Sequence, residues 1–482
     1  MTIPAAVFWI LAIWALLSRS ALYVYLPWLC LPFGALAVVD PSMSFGSTIL
    51  PLTVASAIFV AKTAKQRDSR RIMWRCATDV KGLGLFTLFT LYAVISAYIC
   101  PRIFANRIWV LPMRMVVQDK AVPLGPTTAN FTQAAYTLLS LLFALAMVGY
   151  FRSGDFKARR QTLIKAMLCG ASVLIVTGVI DWLGAKASLD ILRNGTYAIV
   201  GYTTLGDVGR ITGAFPEASA FGATTATLAC ILYFSYATLG DGMLKRWFAP
   251  GIVALLFFLA AAAASSTAYA GILVTIAWIS LSVIMGSSAY GGIRDNYLAM
   301  GAAGVAILGV CALLVFWPNV FDMPIHLIDQ AVFKKVHTES YAQRNFWTSM
   351  GYKAFWDSWG IGIGTGGDRV SSWPAAIASN LGIIGIVTMT GQLLISYLRR
   401  PSAGDPIARQ FHWAAKSGLS VALAMGYLAA TIIDPGLYIS MAFAWILANS
   451  DWQSEQSGTS NRRASRFISK GHNTSSTLPQ TR

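Results

Sequence analysis

Long apolar runs alternate with short polar connectors over most of this chain. Runs of about 15 to 22 apolar residues recur, close to the ~20 that carry a helix across a ~30 Å hydrocarbon layer. They fall at 4–17, 21–39, 48–61, 83–99, 134–150, 166–185, 218–239, 249–264, 271–285, 297–316 and 381–398, and a last pair turns at Asp434-Pro435-Gly436. No basic leader precedes the first run, which passes through Ser18-Arg19-Ser20-Ala21 into more apolar sequence, so it reads as a retained helix and not a cleaved signal peptide. The pattern predicts an all-α polytopic integral membrane protein. Eleven runs and a final pair make thirteen segments, which puts the amino terminus outside; with one element allowed to be re-entrant, the expectation is 12 to 14 transmembrane helices.

One long stretch breaks the alternation. Residues 317–380 carry arginines, tryptophans and a glycine cluster, with an amphipathic helical pattern after Glu339 marked by Tyr341, Trp347, Met350 and Ala354. The expected organisation is therefore transmembrane helices over 1–316 with outer loops at 101–133 and 186–217, a large outer loop at 317–380 containing short amphipathic helices, carboxy-terminal helices over 381–450, and a Ser-rich, basic, disordered inner tail at 451–482.

Composition supports the membrane assignment and charge orients it. Hydrophobic residues make up 56% of the chain and charged residues 12%, with a mean hydropathy of +0.59. A formal charge of +17 would suggest nucleic acid in a soluble protein. Here 25 of the 37 Lys and Arg fall in connectors assigned to the inner side, where they supply the positive-inside signal and contact anionic headgroups, so no nucleic-acid partner is needed. The other 12 are Arg102, Arg107, Arg114, Lys120, Lys186, Arg193, Arg210, Lys334, Lys335, Arg344, Lys353 and Arg369. Orientation gives these no role; some serve as interfacial anchors with snorkelling stems, and several together suggest an anionic ligand on the outer face.

The six cysteines lack CxxC spacing and the four histidines lack metal-ligand spacing, so neither metal nor cofactor is expected. Gly362, Gly364 and Gly367 match GxGxxG, but no βαβ context surrounds them; they read as a tight turn whose backbone approaches something closely, and beside Arg369 that turn is also a candidate phosphate cradle. Glutamate occurs three times, at Glu217, Glu339 and Glu455. Glu217 is either an ordinary helix-start acid or a general base at a membrane mouth near Arg210. Arg344, Trp347 and Gly351 share one helical face, and the aromatics around them serve equally as an interfacial belt or as sugar-stacking platforms.

With RITGAFPEASAFG before a helix, then QRNFW, GIGIGTG and NLGIIG in the late outer loop, the chain resembles the O-antigen ligase and polymerase superfamily; PEASAF and GTGGDRVSS are closest to its exopolysaccharide polymerases. The resemblance implies a GT-C-like glycosyltransferase at the periplasmic face of the bacterial inner membrane, with its carboxy terminus cytoplasmic. Its donor and acceptor would be undecaprenyl-diphosphate-linked oligosaccharides, and a chain-length regulator or export complex is a possible partner. It also implies that Arg210 and Arg344 engage the donor diphosphate; the outer charge, the aromatic face and the glycine turn make Arg369, Trp347 and Gly364 the further candidates for lining the substrate. Glu217 is the first choice for acceptor base and His337 the reserve. Ligases of the superfamily carry a His-Asn pair where this chain has Ser371, Ser372 and Trp373, which favours a polymerase. A ligase and, from another class, a lipid-linked glycan flippase are the competing expectations.

Overall fold

A computed structural model describes residues 2–40, 42–43, 47–113, 120–195, 204–205, 208–240, 242–284, 339–402 and 405–452. The fold is a helical bundle. In chain order its helices are α1 (Ile3–Leu17), α2 (Leu22–Cys30), α3 (Pro51–Ala64), α4 (Arg67–Thr78), α5 (Gly84–Ile103), α6 (Thr128–Arg152), α7 (Phe156–Trp182), α8 (Ala218–Ser235), α9 (Ala249–Ala262), α10 (Ser266–Ile284), α11 (Glu339–Asp357), α12 (Trp373–Leu398), α13 (Pro406–Ala429) and α14 (Gly436–Ala448). Two small hairpins, β1 (Trp109–Val110) with β2 (Val122–Pro123) and β3 (Thr204–Leu205) with β4 (Val208–Gly209), lie in the connecting loops.

Among the described residues, six helices are long and apolar enough to cross a bilayer: Gly84–Ile103, Thr128–Arg152, Phe156–Trp182, Ala218–Ser235, Leu244–Ala262 and Trp373–Leu398. Shorter apolar helices lie at Ile3–Leu17, Pro51–Ala64, Ser266–Ser282 and Gly436–Ala448. The protein is thus a helical, multi-pass membrane protein. Segment 297–316 and His337 lie outside the described residues.

Local sequence sets the helix starts. Thr127 and Asn130 form a capping box at α6, and the Asp155 and Asp405 carboxylates cap α7 and α13. At the centre, α8 packs against α9, α10 and α13, while α6 packs against α3, α4, α5 and α14. Gly222 on α8 faces Ala268 on α10, where an added Cβ would come within 2.7 Å of the Ala268 methyl. Lipid tails are as apolar as the core, so close packing and interhelical hydrogen bonds hold such a bundle, each bond contributing about 0.6 to 2 kcal/mol. The Tyr397 and Ser420 hydroxyls (2.8 Å) and Tyr438 Oη to the Thr224 carbonyl (3.1 Å) are two of them, and Ser140 Oγ on α6 donates to Asp434 Oδ1 (2.6 Å) in the turn between α13 and α14.

Four expected elements differ. The second apolar run forms a helix only over Leu22–Cys30; Pro27 lies inside it, and from residue 31 the chain leaves the helix to pair with the loop before α8, Ala35 N–H donating to the Ala214 carbonyl. The basic connector after α3 is itself helical, as α4. Helix α5 runs on to Ile103 and α6 begins at Thr128, so the 101–133 loop shortens. Helix α12 starts at Trp373, upstream of the expected 381, and is broken at Gly382, whose φ of 57° and ψ of −152° leave the helical region.

The two ends of the bundle differ in kind. Residues assigned to the inner side converge on one end: Lys62 donates to the Leu16 and Ser18 carbonyls, Arg160 pairs with Asp405, Lys416 donates to the Tyr397 and Arg399 carbonyls, and Trp452 donates to Asp79. The residues singled out for chemistry lie at the other.

Candidate functional site at the mouth opposite the basic end

The stretch 210–213 is fixed from below by a buried acid. Asp181, at the end of α7, accepts hydrogen bonds through Oδ2 from Thr212 N (2.6 Å), Thr212 Oγ1 (3.0 Å) and Gly213 N (2.8 Å). Arg193 reaches the same loop, with Nη2 donating to Thr212 Oγ1 at 2.8 Å and lying 3.7 Å from Asp181 Oδ2. One of the outer cations therefore has a scaffolding role. The periodicity of α7 does not reveal Asp181; a lone acid near the end of an apolar run is the only signal the sequence offers.

This clamp leads into Glu217, which occupies the N-cap position of α8 but does not use its side chain to cap it. Instead Glu217 Oε2 accepts the Ser219 hydroxyl at 2.7 Å and lies 3.9 Å from Arg344 Nη2. Glu217 thus stands at a helix start and also faces a cation from a distant segment. Arg344 in turn donates from Nη1 to the Leu428 carbonyl at 3.5 Å, in the last turn of α13, where carbonyls lack intrahelical partners. Burial draws the Arg210 guanidinium below its ordinary value; Glu217 draws it back up, Arg344 pushes it down, and Tyr269 raises it. Arg210 and Glu217, seven residues apart before α8, thus share one electrostatic neighbourhood with Arg344, which lies far along the chain on α11.

Tyr269 lies in the first turn of α10, within the SSTAYAG stretch read from sequence only as a hairpin. In the same stretch the Thr267 hydroxyl bonds Ser265 Oγ at 2.7 Å and donates to the Ser219 carbonyl at 3.5 Å, so the start of α10 is linked to the segment that carries Glu217. Ala264, just before this stretch, has φ of 47°, a strained value for a residue with a Cβ.

Helix α11 forms the other wall, and its predicted face is used throughout. Arg344 meets Glu217, the Arg369 guanidinium lies 4.5 Å from the Trp347 ring centre, and Gly351 packs against Val370 and Asp368. Trp347 and Trp373 are buried, with Trp373 Nε1 donating to the Ile433 carbonyl at 3.1 Å, whereas Trp356 and Trp359 are exposed. The belt description therefore suits Trp356, Trp359 and the exposed Phe346, and not Trp347 or Trp373.

The glycine cluster is a strap. Ile363 N and Gly364 N donate to the Ser379 and Asn380 carbonyls at 2.8 and 2.9 Å, Gly367 N donates to Asn380 Oδ1 at 3.1 Å, and Ile383 N donates to the Gly360 carbonyl at 2.8 Å. Its backbone thereby serves the groups exposed by the break in α12. Gly364 has φ of 94°, and a Cβ there would lie 2.5 Å from the Ser96 carbonyl oxygen, so its close approach is to α5.

Within the strap Asp368 is buried. Its Oδ1 accepts Leu111 N at 3.1 Å and its Oδ2 has no hydrogen-bond partner among the described residues. Burial pushes this carboxyl up to about 8 against the lowering effect of the Leu111 and Arg369 N–H groups. Among the described residues, no three His, Cys, Asp or Glu side chains converge as a metal site would require. Comparison of the chain with protein families and with curated proteins finds no match.

Proposed function

We propose that this protein polymerises oligosaccharide repeat units carried on undecaprenyl diphosphate, by inverting glycosyl transfer at the periplasmic face of a bacterial inner membrane that it crosses with 12 to 14 helices. The observation that carries the proposal is the convergence of Arg210, Glu217 and Arg344 at one mouth, with Arg344 3.9 Å from Glu217. As the anomeric C–O bond to the diphosphate breaks, negative charge grows on the leaving phosphate. Arg210 and Arg344 stabilise it, each charge-assisted hydrogen bond contributing about 1.5 to 3 kcal/mol. The acceptor hydroxyl of the incoming unit attacks the opposite face of the sugar and passes its proton to the Glu217 carboxylate, a step worth roughly 10² to 10⁴ in rate. Arg369, held against Trp347, extends the cationic wall toward the glycan.

The test is the glycan made by cells carrying Arg210→Ala, Arg344→Ala or Glu217→Gln, resolved by length on a gel. Single repeats in place of long chains support polymerisation. Intact chains that are not attached to their final acceptor point to a ligase, and normal chains from well-expressed variants overturn the site.

A further inference from the structure

Helix α4 carries two opposed stripes. Ser69, Met73 and Cys76 are buried, and Arg67, Arg70, Arg71, Trp74, Arg75 and Thr78 are exposed along the other side. These offsets of three and four residues place four arginines and an indole on one face. The only acid on the helix, Asp68, lies in its first turn, where it complements the helix dipole.

The buried stripe says how α4 lies. Ser69 Oγ bonds Ser153 Oγ at 2.7 Å and the Gly149 carbonyl at 3.4 Å, and a Cβ on Gly149 would sit 3.1 Å from Met73 Cγ. One turn of α4, Ser69 to Met73, thus runs antiparallel to the end of α6, Ser153 back to Gly149, which places α4 at that end of the bundle. It is also bracketed by apolar helices, with α3 ending just before it and α5 beginning just after it. That is the level at which a bilayer's headgroups meet the bundle. Trp74 is 71% exposed there, and an indole flanked by guanidiniums suits the boundary between acyl chains and headgroups.

We propose that the exposed face of α4 is a binding surface for anionic phospholipid headgroups, with Arg67, Arg70, Arg71 and Arg75 meeting the phosphates and Trp74 seated at the acyl boundary. Charge complementarity selects this occupant: four arginines against one aspartate favour an anionic surface over a zwitterionic one. The surface lies at the opposite end of the bundle from the candidate site and does not depend on the reaction proposed there.

Native mass spectrometry of the purified full chain tests it, with phosphatidylglycerol or phosphatidylcholine of matched acyl chains added in detergent. Retention of phosphatidylglycerol is expected to exceed that of phosphatidylcholine by on the order of tenfold. The quadruple variant with Arg67, Arg70, Arg71 and Arg75 changed to Gln should bring the ratio toward parity with little change in Tm. A control with Lys157, Lys245, Arg246 and Arg409 changed to Gln should keep it. Millimolar inorganic phosphate should not compete; displacement by it would mark a free-anion site and overturn the proposal. Parity in the wild type, or equal loss in the control, would overturn it as well.

Discussion

Arg344 of α11 and Glu217 at the start of α8 face each other across the mouth at 3.9 Å, with the Arg344 side chain 25% and the Glu217 side chain 48% exposed. A pair this open to solvent contributes no more than about 1 kcal/mol to stability. Its value lies in placing a guanidinium and a carboxylate within reach of one ligand. Arg344→Ala and Glu217→Gln are therefore expected to leave Tm almost unchanged while lowering the transfer rate by roughly 10² to 10⁴. Thermal unfolding beside rate measurements separates the two effects, and a large Tm loss with a proportionate activity loss would make the pair structural.

Asp181 behaves in the opposite way. It is buried and accepts hydrogen bonds from Thr212 and Gly213, with Arg193 beside it. Asp181→Ala strands those donors and leaves the Arg193 guanidinium with the half-exposed Asp190, 3.6 Å away, as its acidic partner; losing the buried partner costs about 3 kcal/mol. Thermal unfolding should show a clear drop, with partial rescue in the Asp181/Arg193 double alanine variant, which removes the stranded charge.

The Asp368 carboxyl gives a pH dependence of known sign. Its folded-state value is raised to about 8 from an ordinary 3.8, so between these limits the folded protein holds a proton that the unfolded chain has released. Stability from this group is complete below about pH 4 and is lost as pH rises toward 8. Tm of the wild type should fall across pH 5 to 8 more steeply than Tm of Asp368→Asn, measured in one detergent at constant ionic strength. Equal slopes would show that Asp368 is not the group responsible.

Gly382→Ala should disrupt the outer half of the molecule. A Cβ there would collide with the Gly360 carbonyl and with Ile361, at a φ of 57° that side chains rarely adopt. Strain and overpacking of this kind cost on the order of 1 to 3 kcal/mol each. Lower expression and faster proteolysis of the 358–372 strap are the expected outcome, and Gly251→Ala, where a Cβ meets nothing within 4 Å, is the control.

Much of this arrangement is legible in sequence because apolar length and helical spacing are local properties. The apolar runs mark most of the helices, and spacing alone puts Arg344, Trp347 and Gly351 on the face that α11 uses. Arg210 and Arg344 stand out because orientation gives them no role. What sequence does not show depends on contacts between distant segments. Nothing local says that Asp181 and Arg193 hold the 210–213 turn, or that Thr267 at the start of α10 reaches Ser219. The glycine cluster's partner is invisible for the same reason: its positive φ values are predictable from residue type, but its docking on the break in α12 follows from Gly382 and Asn380 further along the chain. The unwinding after Cys30 is missed because apolar content alone does not distinguish a helix from a buried irregular segment.

The most direct measurement of the central claim is the product distribution when purified protein is incubated with a synthetic repeat unit linked to undecaprenyl diphosphate. A ladder of lipid-linked oligomers, shortened or lost in Arg210→Ala and Glu217→Gln, is the predicted result. Unchanged single repeats from well-folded wild-type protein, over donors of differing sugar composition, would contradict it.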